Sequence, residues 1–155
     1  MTAPPTRLPV LVLVVNLAST LAMTGVIWFV QVVHYPLFAS VGAEGFSRYE
    51  ALHATRTGWV VAPLMLCELV ASVALLWPSL RSASVDATSA WMAAGLVGVI
   101  WLSTAFLQVP IHNRLAQGYS PALVSRLVET NWIRTIAWTL RSAILLRWIA
   151  IALDR

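Results

Sequence analysis

LPVLVLVVNLASTLAMTGVIWFVQVV, residues 8–33, runs without a charged side chain. A helix rises about 1.5 Å per residue, so about 20 apolar residues cross a hydrocarbon core of roughly 30 Å. Residues 8–33 exceed that length. Arg7 and the small-residue segment LASTLA at 17–22 could pass for a signal peptide with its cleavage site. The apolar run continues to Val33, however, past the end of an ordinary signal-peptide core, and it is read as a retained first span.

Three further stretches repeat the pattern: residues 58–78, 89–110 and 132–153. The whole chain of 155 residues is 59% hydrophobic and 10% charged, with mean hydropathy +0.80. A water-soluble domain carries about 25% charged residues, so this composition calls for lipid as solvent. No alternating pattern of a membrane barrel is visible, and only helices satisfy their own backbone groups in lipid. The expected fold is therefore all-α: one integral membrane domain, residues 1–155, folded as a four-helix bundle. Trp77, Trp91, Trp132 and Trp148 lie near span ends, where interfacial anchors belong. The glycines Gly25, Gly95 and Gly98 read as close-packing points between helices.

The connections carry their own signals. FSRYEALHATR, within the polar segment 38–57, reads as a short amphipathic helix, and segment 112–131 is its counterpart. There Ser120-Pro121 supplies a helix start, with serine at the N-cap and proline at the first helical position. The link 79–88 is short and polar.

The halves 8–78 and 89–153 resemble each other. Gly25-Val26-Ile27-Trp28 recurs as Gly98-Val99-Ile100-Trp101, and Gln31 and His34 are echoed by Gln108 and His112. Ser47-Arg48, His53 and Arg56-Thr57 align with Ser125-Arg126, Asn131 and Arg134-Thr135 at one constant spacing. Polar letters matching in register point to a duplicated hairpin. Two spans per unit give a parallel repeat, with its pseudo-twofold axis along the membrane normal.

Four spans place His34, His53, His112, Asn131 and Arg134 at one membrane face. Glu50-x-x-His53 has the i, i+3 spacing used in carboxylate-bridged metal sites of four-helix bundles. With His34 and His112 it offers three imidazoles and a carboxylate, enough for one iron or copper, less naturally zinc. Glu129 and Asn131 stand where a second such motif would fall, so a two-metal site is not expected. Two readings stay beside the metal: a metal-free polar pocket, and histidines that serve only structure or the interface. Gln31 and Gln108 could orient the imidazoles of His34 and His112, or simply bond between helices; Pro110 distorts the second of these faces.

Deeper in the spans, Glu68 and Arg141 reach similar depth. An unpaired charge there costs about 2.5–3.5 kcal/mol or more, so the two are expected to pair, as a structural clamp or as part of a relay or substrate anchor. Arg134 and Arg141 share a helical face with Trp138 between them. Such a face could hold an anionic or phenolic ligand.

Composition also excludes functions. The formal net charge is +4 and every cation is arginine, but the arginines are dispersed and several lie within apolar spans, which argues against nucleic-acid binding. Cys67 is the only cysteine, so there is no intrachain disulfide and no CxxC motif. Arg48, Arg56, Arg114 and Arg126 outnumber Arg7, Arg81 and Arg155 on the opposite side. The positive-inside rule does not decide the orientation here, because the larger group sits with the candidate site.

Gly25, Phe29, Val33, Tyr35 and Pro36, followed by a polar loop, together with the Asn131-to-Arg141 stretch of the fourth span, resemble the small anthrone oxygenase-like membrane proteins. The likeness covers most of the chain through loose motifs. It implies oxidation of a lipophilic aromatic or quinone-like molecule at the membrane and carries over no catalytic residue. The expected function is thus a membrane-embedded oxidoreductase. His34, His53 and His112 would bind a metal or act as bases, with Glu50 as ligand or proton acceptor. Arg134 and Arg141 would stabilise a phenolate, and Gln31, Gln108, Asn131, Trp138 and Glu68 would line the substrate. The alternatives are a carrier for an amphiphilic anion and an accessory membrane subunit. Expected partners are the bilayer, here a bacterial cytoplasmic membrane, a lipophilic small molecule, and a second copy or a partner subunit.

Overall fold

The apolar stretches form four long helices in the computed structural model of the chain, which describes residues 7–154. They are α1 (Leu8–Ser40), α2 (Phe46–Ala74), α3 (Ala87–Leu115) and α4 (Pro121–Leu153), each long and apolar enough to cross a membrane. No strand occurs among the described residues. The protein is an integral membrane helical bundle. Arg155, counted above on the terminal side, lies outside the described residues.

The two amphipathic segments are not separate helices. Residues 46–57 are the first turns of α2, and residues 121–131 are the first turns of α4. No proline interrupts either sequence at the polar boundary, and the single Gly58 there does not end the helix. Pro63, inside α2, is tolerated as prolines in membrane helices are, where neighbours re-satisfy the freed carbonyl. Ser120 does cap α4: its hydroxyl accepts from the Leu123 N–H at 3.4 Å, with Pro121 opening the helix. Asp86 caps α3 in the same way. It accepts from the Ser89 hydroxyl at 2.5 Å and the Ser89 N–H at 2.9 Å, and these bonds hold its carboxyl below the usual carboxylate range.

α1 packs mainly on α2 and α4, and α3 packs mainly on α4. Met23, Ile27, Ile100, Leu127 and Trp138 fill the core toward the histidine end, and Leu13, Leu75, Leu145 and Trp148 fill it toward the other. Trp148 is consequently not an interfacial anchor. It is 1% exposed, and its indole donates to Ser89 Oγ at 2.8 Å. It shares the inward stripe of α4 with Trp138, Arg141 and Leu145, and helical periodicity overrides its nearness to the span end. Trp77, Trp91 and Trp132 are exposed. The glycines differ from expectation too. A methyl group added at Gly25, Gly95 or Gly98 would meet nothing within 4 Å, so none marks a close helix approach within the bundle.

Both first helices of the hairpins widen at one place. Val30–His34 and Thr104–Gln108 are π-helical turns, ending two residues before Pro36 and Pro110. A proline has no N–H to donate, and its ring collides with the carbonyl four residues back. Those carbonyls belong to Val32 and Phe106, inside the widened turns. The shared device sets His34 opposite Gln108 in the repeat, rather than opposite His112 as the letters alone suggest.

Glu68 and Arg141, both fully buried, form the ion pair expected of them, with Nε to Oε1 at 2.8 Å. The pair sits in a closed shell. Thr20 donates to Glu68 Oε1 at 2.7 Å and the Trp138 indole to Oε2 at 3.0 Å. The guanidinium also donates to the Ala93 carbonyl at 2.6 Å, to Ser72 at 2.5 Å and to the Asn16 side chain. One network therefore ties all four helices together at mid-depth. Arg141→Met is expected to cost about 3–5 kcal/mol, because Glu68 is left charged and unpaired in an apolar interior. Glu68→Gln combined with Arg141→Met should cost clearly less than the sum of the two single changes. Thermal unfolding of the four proteins in detergent, followed by circular dichroism, checks both.

Candidate functional site

The widened turn of α1 and the first turns of α2 bring the histidines together. His34 Nε2 lies 2.9 Å from His53 Nδ1, and Thr57 Oγ1 lies 3.1 Å from the same nitrogen. The ring centroids of His53 and His112 are 5.4 Å apart. Phe38, fully buried, wedges edge-on among them, its centroid 5.2 Å from both His34 and His53. An aromatic wedge of this kind fixes ring positions without competing for their nitrogens.

His112 is held from both sides. Its Nδ1 meets Glu50 Oε1 at 2.5 Å and its Nε2 meets the Tyr35 hydroxyl at 2.9 Å. An ionised carboxylate only accepts, so Nδ1 carries the proton and Nε2 accepts from Tyr35. Arg134 Nη2 donates to the same hydroxyl at 3.3 Å. Glu50, His112, Tyr35 and Arg134 thus form one directed chain of hydrogen bonds drawn from four helices. Its acidic end is incomplete: Glu50 Oε2 is buried with no partner among the described residues.

Behind this chain lies an amide cluster. Arg134 donates to Asn131 Oδ1 through Nε at 3.0 Å and Nη2 at 2.5 Å. Asn131 donates to Gln31 Oε1 at 2.8 Å, and Gln31 donates to the Val128 carbonyl at 3.1 Å. Gln31 therefore braces α1 on α4 and does not orient His34. Gln108 donates to Thr130 at 3.2 Å, away from His112, and its Oε1 is buried without a partner among the described residues.

His34, His53, His112, Glu50, Asn131, Gln31 and Arg134 converge. Glu68, Trp138 and Arg141 do not join them, since their polar atoms are spent in the closed network about two helical turns, or roughly 10 Å, further along α4. The continuous Arg134–Trp138–Arg141 ligand face expected from spacing is accordingly broken. Tyr35 and Arg56 were missed as site residues. Arg56 is one turn from His53 on α2, a spacing that signals a shared face. Tyr35 gave only the local pattern of an interfacial tyrosine.

A cleft of about 480 Å³ opens between α1 and α2. His34, His53, Arg56, Thr57 and Tyr49 form its polar end, and Val26, Phe29, Val30, Val60 and Val61 its apolar wall. Phe29 and Val60 are exposed on the outside of the bundle, so the cleft opens toward lipid. The atoms that could hold a metal are those of Glu50, His53 and His112, which lie within 4.8 Å of one another. Comparisons with protein-family models, curated proteins and solved structures find no match to this chain.

Tyr35→Phe removes one hydroxyl and unpairs His112 Nε2 from its donor. A loss of about 1–3 kcal/mol in stability is expected, together with faster modification of His112 by diethyl pyrocarbonate, read by mass spectrometry. Unchanged stability and unchanged His112 reactivity would show that the chain is not formed.

Proposed function

We propose that the protein is a membrane-embedded oxidoreductase acting on a lipophilic aromatic molecule that enters the α1–α2 cleft from the bilayer. The observation that carries this reading is the cleft itself, with apolar walls, a lipid-facing mouth, and two hydrogen-bonded imidazoles and an arginine at its polar end. Its volume suits a fused aromatic of two or three rings, within the usual range of small-molecule sites.

The imidazole pair supplies a base. If His34 donates the shared hydrogen, the basic nitrogen outside the pair is His34 Nδ1; if His53 donates, it is His53 Nε2. One unprotonated ring nitrogen is available in either tautomer. A substrate with an acidic CH₂ beside phenolic rings gives its proton to that nitrogen. The carbanion adds to dioxygen and takes a proton, and the hydroperoxide loses water to leave a carbonyl. Carbon is oxidised, dioxygen is reduced, and one water is formed. Arg56 at the cleft stabilises the developing phenolate, a role the sequence assigned to Arg134 and Arg141. Arg134 acts from behind, through Tyr35 and His112.

Anthrone, added to the protein in lipid nanodiscs with oxygen uptake and quinone formation recorded, tests this reading. His53→Gln is expected to lower kcat/KM by about a hundredfold or more. Val60→Trp, which fills the lipid-facing mouth, should raise KM with the fold intact. Turnover indifferent to both changes would remove the cleft from the chemistry. Anthrone bound in the cleft but recovered unchanged would favour a carrier.

A further inference from the structure

We infer that Glu50, His53 and His112 bind one divalent transition-metal ion, in a two-histidine, one-carboxylate arrangement of the kind that suits iron(II). The inference rests on reading this end of the bundle as a reaction site, and it adds a ligand class to that site.

Three independent features point to an ion. First, the donor atoms converge from two helices, within 4.8 Å of one another. An ion held at about 2.0–2.2 Å draws its ligand atoms to within roughly 4 Å of each other, so side-chain rotation that frees one His112 nitrogen from its bond to Glu50 or Tyr35 closes the set. Second, Glu50 is fully buried and its Oε2 has no partner among the described residues. A buried carboxylate oxygen left bare is costly, and a cation is the partner that repays it most fully. Third, His53 is already oriented for ligation. Its Nδ1 is engaged by His34 and Thr57, while its Nε2 has no hydrogen bond among the described residues. Metal-bound imidazoles characteristically give their second nitrogen to such a partner, which fixes tautomer and ring angle. With Nε2 serving as ligand, His34 accepts from Nδ1 and stays outside the metal, and the loaded pair no longer offers the free ring nitrogen that it offers without an ion.

The donor chemistry narrows the ion. Two imidazoles and one carboxylate on one side, with the remaining positions open, is the set associated with non-haem iron(II). No thiolate is near, because the lone Cys67 is exposed on a different part of α2. The repeat argues for one ion and not two: at its constant spacing Val128, and not the neighbouring Glu129, stands opposite Glu50, and Asn131, opposite His53, is committed to Gln31 and Arg134.

The test uses the full-length chain in detergent, stripped with chelator, reloaded anaerobically with iron(II), desalted, and measured by mass spectrometry. About one iron per chain is expected. Glu50→Gln, His53→Gln and His112→Asn should each cut retained iron about tenfold or more. His34→Ala should keep the stoichiometry at saturation and weaken affinity by about 10–100-fold. Cobalt(II) loading of the unmutated chain gives a second readout independent of whether the variants fold, since a protein-bound ion shows visible bands distinct from the aquo ion. An unmutated chain that retains no iron and leaves cobalt in its aquo form overturns the inference, as does retention by the three variants equal to that of the unmutated chain. Quenching of tryptophan fluorescence by anthrone separates the two claims. Anthrone binding without metal overturns the ion and leaves the cleft standing, and metal without anthrone binding does the reverse.

Discussion

A buried glutamate and arginine at the middle of an apolar bundle impose the tightest constraint on this fold. Neither can be solvated by lipid, and each needs several partners within hydrogen-bond reach. Glu68 on α2 and Arg141 on α4 meet, and Asn16 and Thr20 on α1 and the Ala93 carbonyl on α3 close the shell. A helix rotated by even one residue position would break several of these bonds at once. The network therefore fixes the rotation and depth of all four helices, including the depth at which the histidines stand. Such networks set geometry more surely than they add stability, because desolvation offsets much of the attraction.

With rotation fixed at mid-depth, the two proline-induced π turns shape the end of the bundle. Each inserts a widened turn just before the polar boundary. On α1 it turns His34 toward α2 while Gln31 and Tyr35 face α4 and α3. π turns of this sort recur at functional sites because they re-aim side chains without ending the helix. The result is two polar layers with different characters. The inner one satisfies every polar atom of Glu68 and Arg141 and leaves only the Asn16 Nδ2 without a partner among the described residues. The outer one, around Glu50 and His112, keeps an unpartnered carboxylate oxygen among the described residues and borders an apolar cleft.

How far the sequence revealed this depends on the type of signal. The four spans were legible because apolar runs of sufficient length have one stable answer in lipid. The convergence of His34, His53 and His112 followed from span counting alone, and the Glu68–Arg141 pair from depth and charge. Side-chain direction was less legible. Trp148 read as an anchor from its position near a span end, yet its helical phase turns it inward. Arg141 and Trp138 read as a ligand face, but spacing along one helix cannot say which partners wait on the others. Asn16 and Thr20, four residues apart in the first span, and Glu68 and Ser72, four apart in the second, carried a usable sign: polar residues on one face of an apolar helix mark an interior contact. Tyr35 carried none, since its partners come from α3 and α4.

The most direct measurement is the ¹⁵N spectrum of the three histidine side chains in lipid nanodiscs, recorded across pH with and without anthrone. The expected result is coupled behaviour: replacing His34 shifts the ring nitrogens of His53, replacing Tyr35 shifts those of His112, and anthrone moves the His34 and His53 signals most. Three histidines that titrate independently as free imidazoles, with no response to one another or to anthrone, would contradict the site at its root.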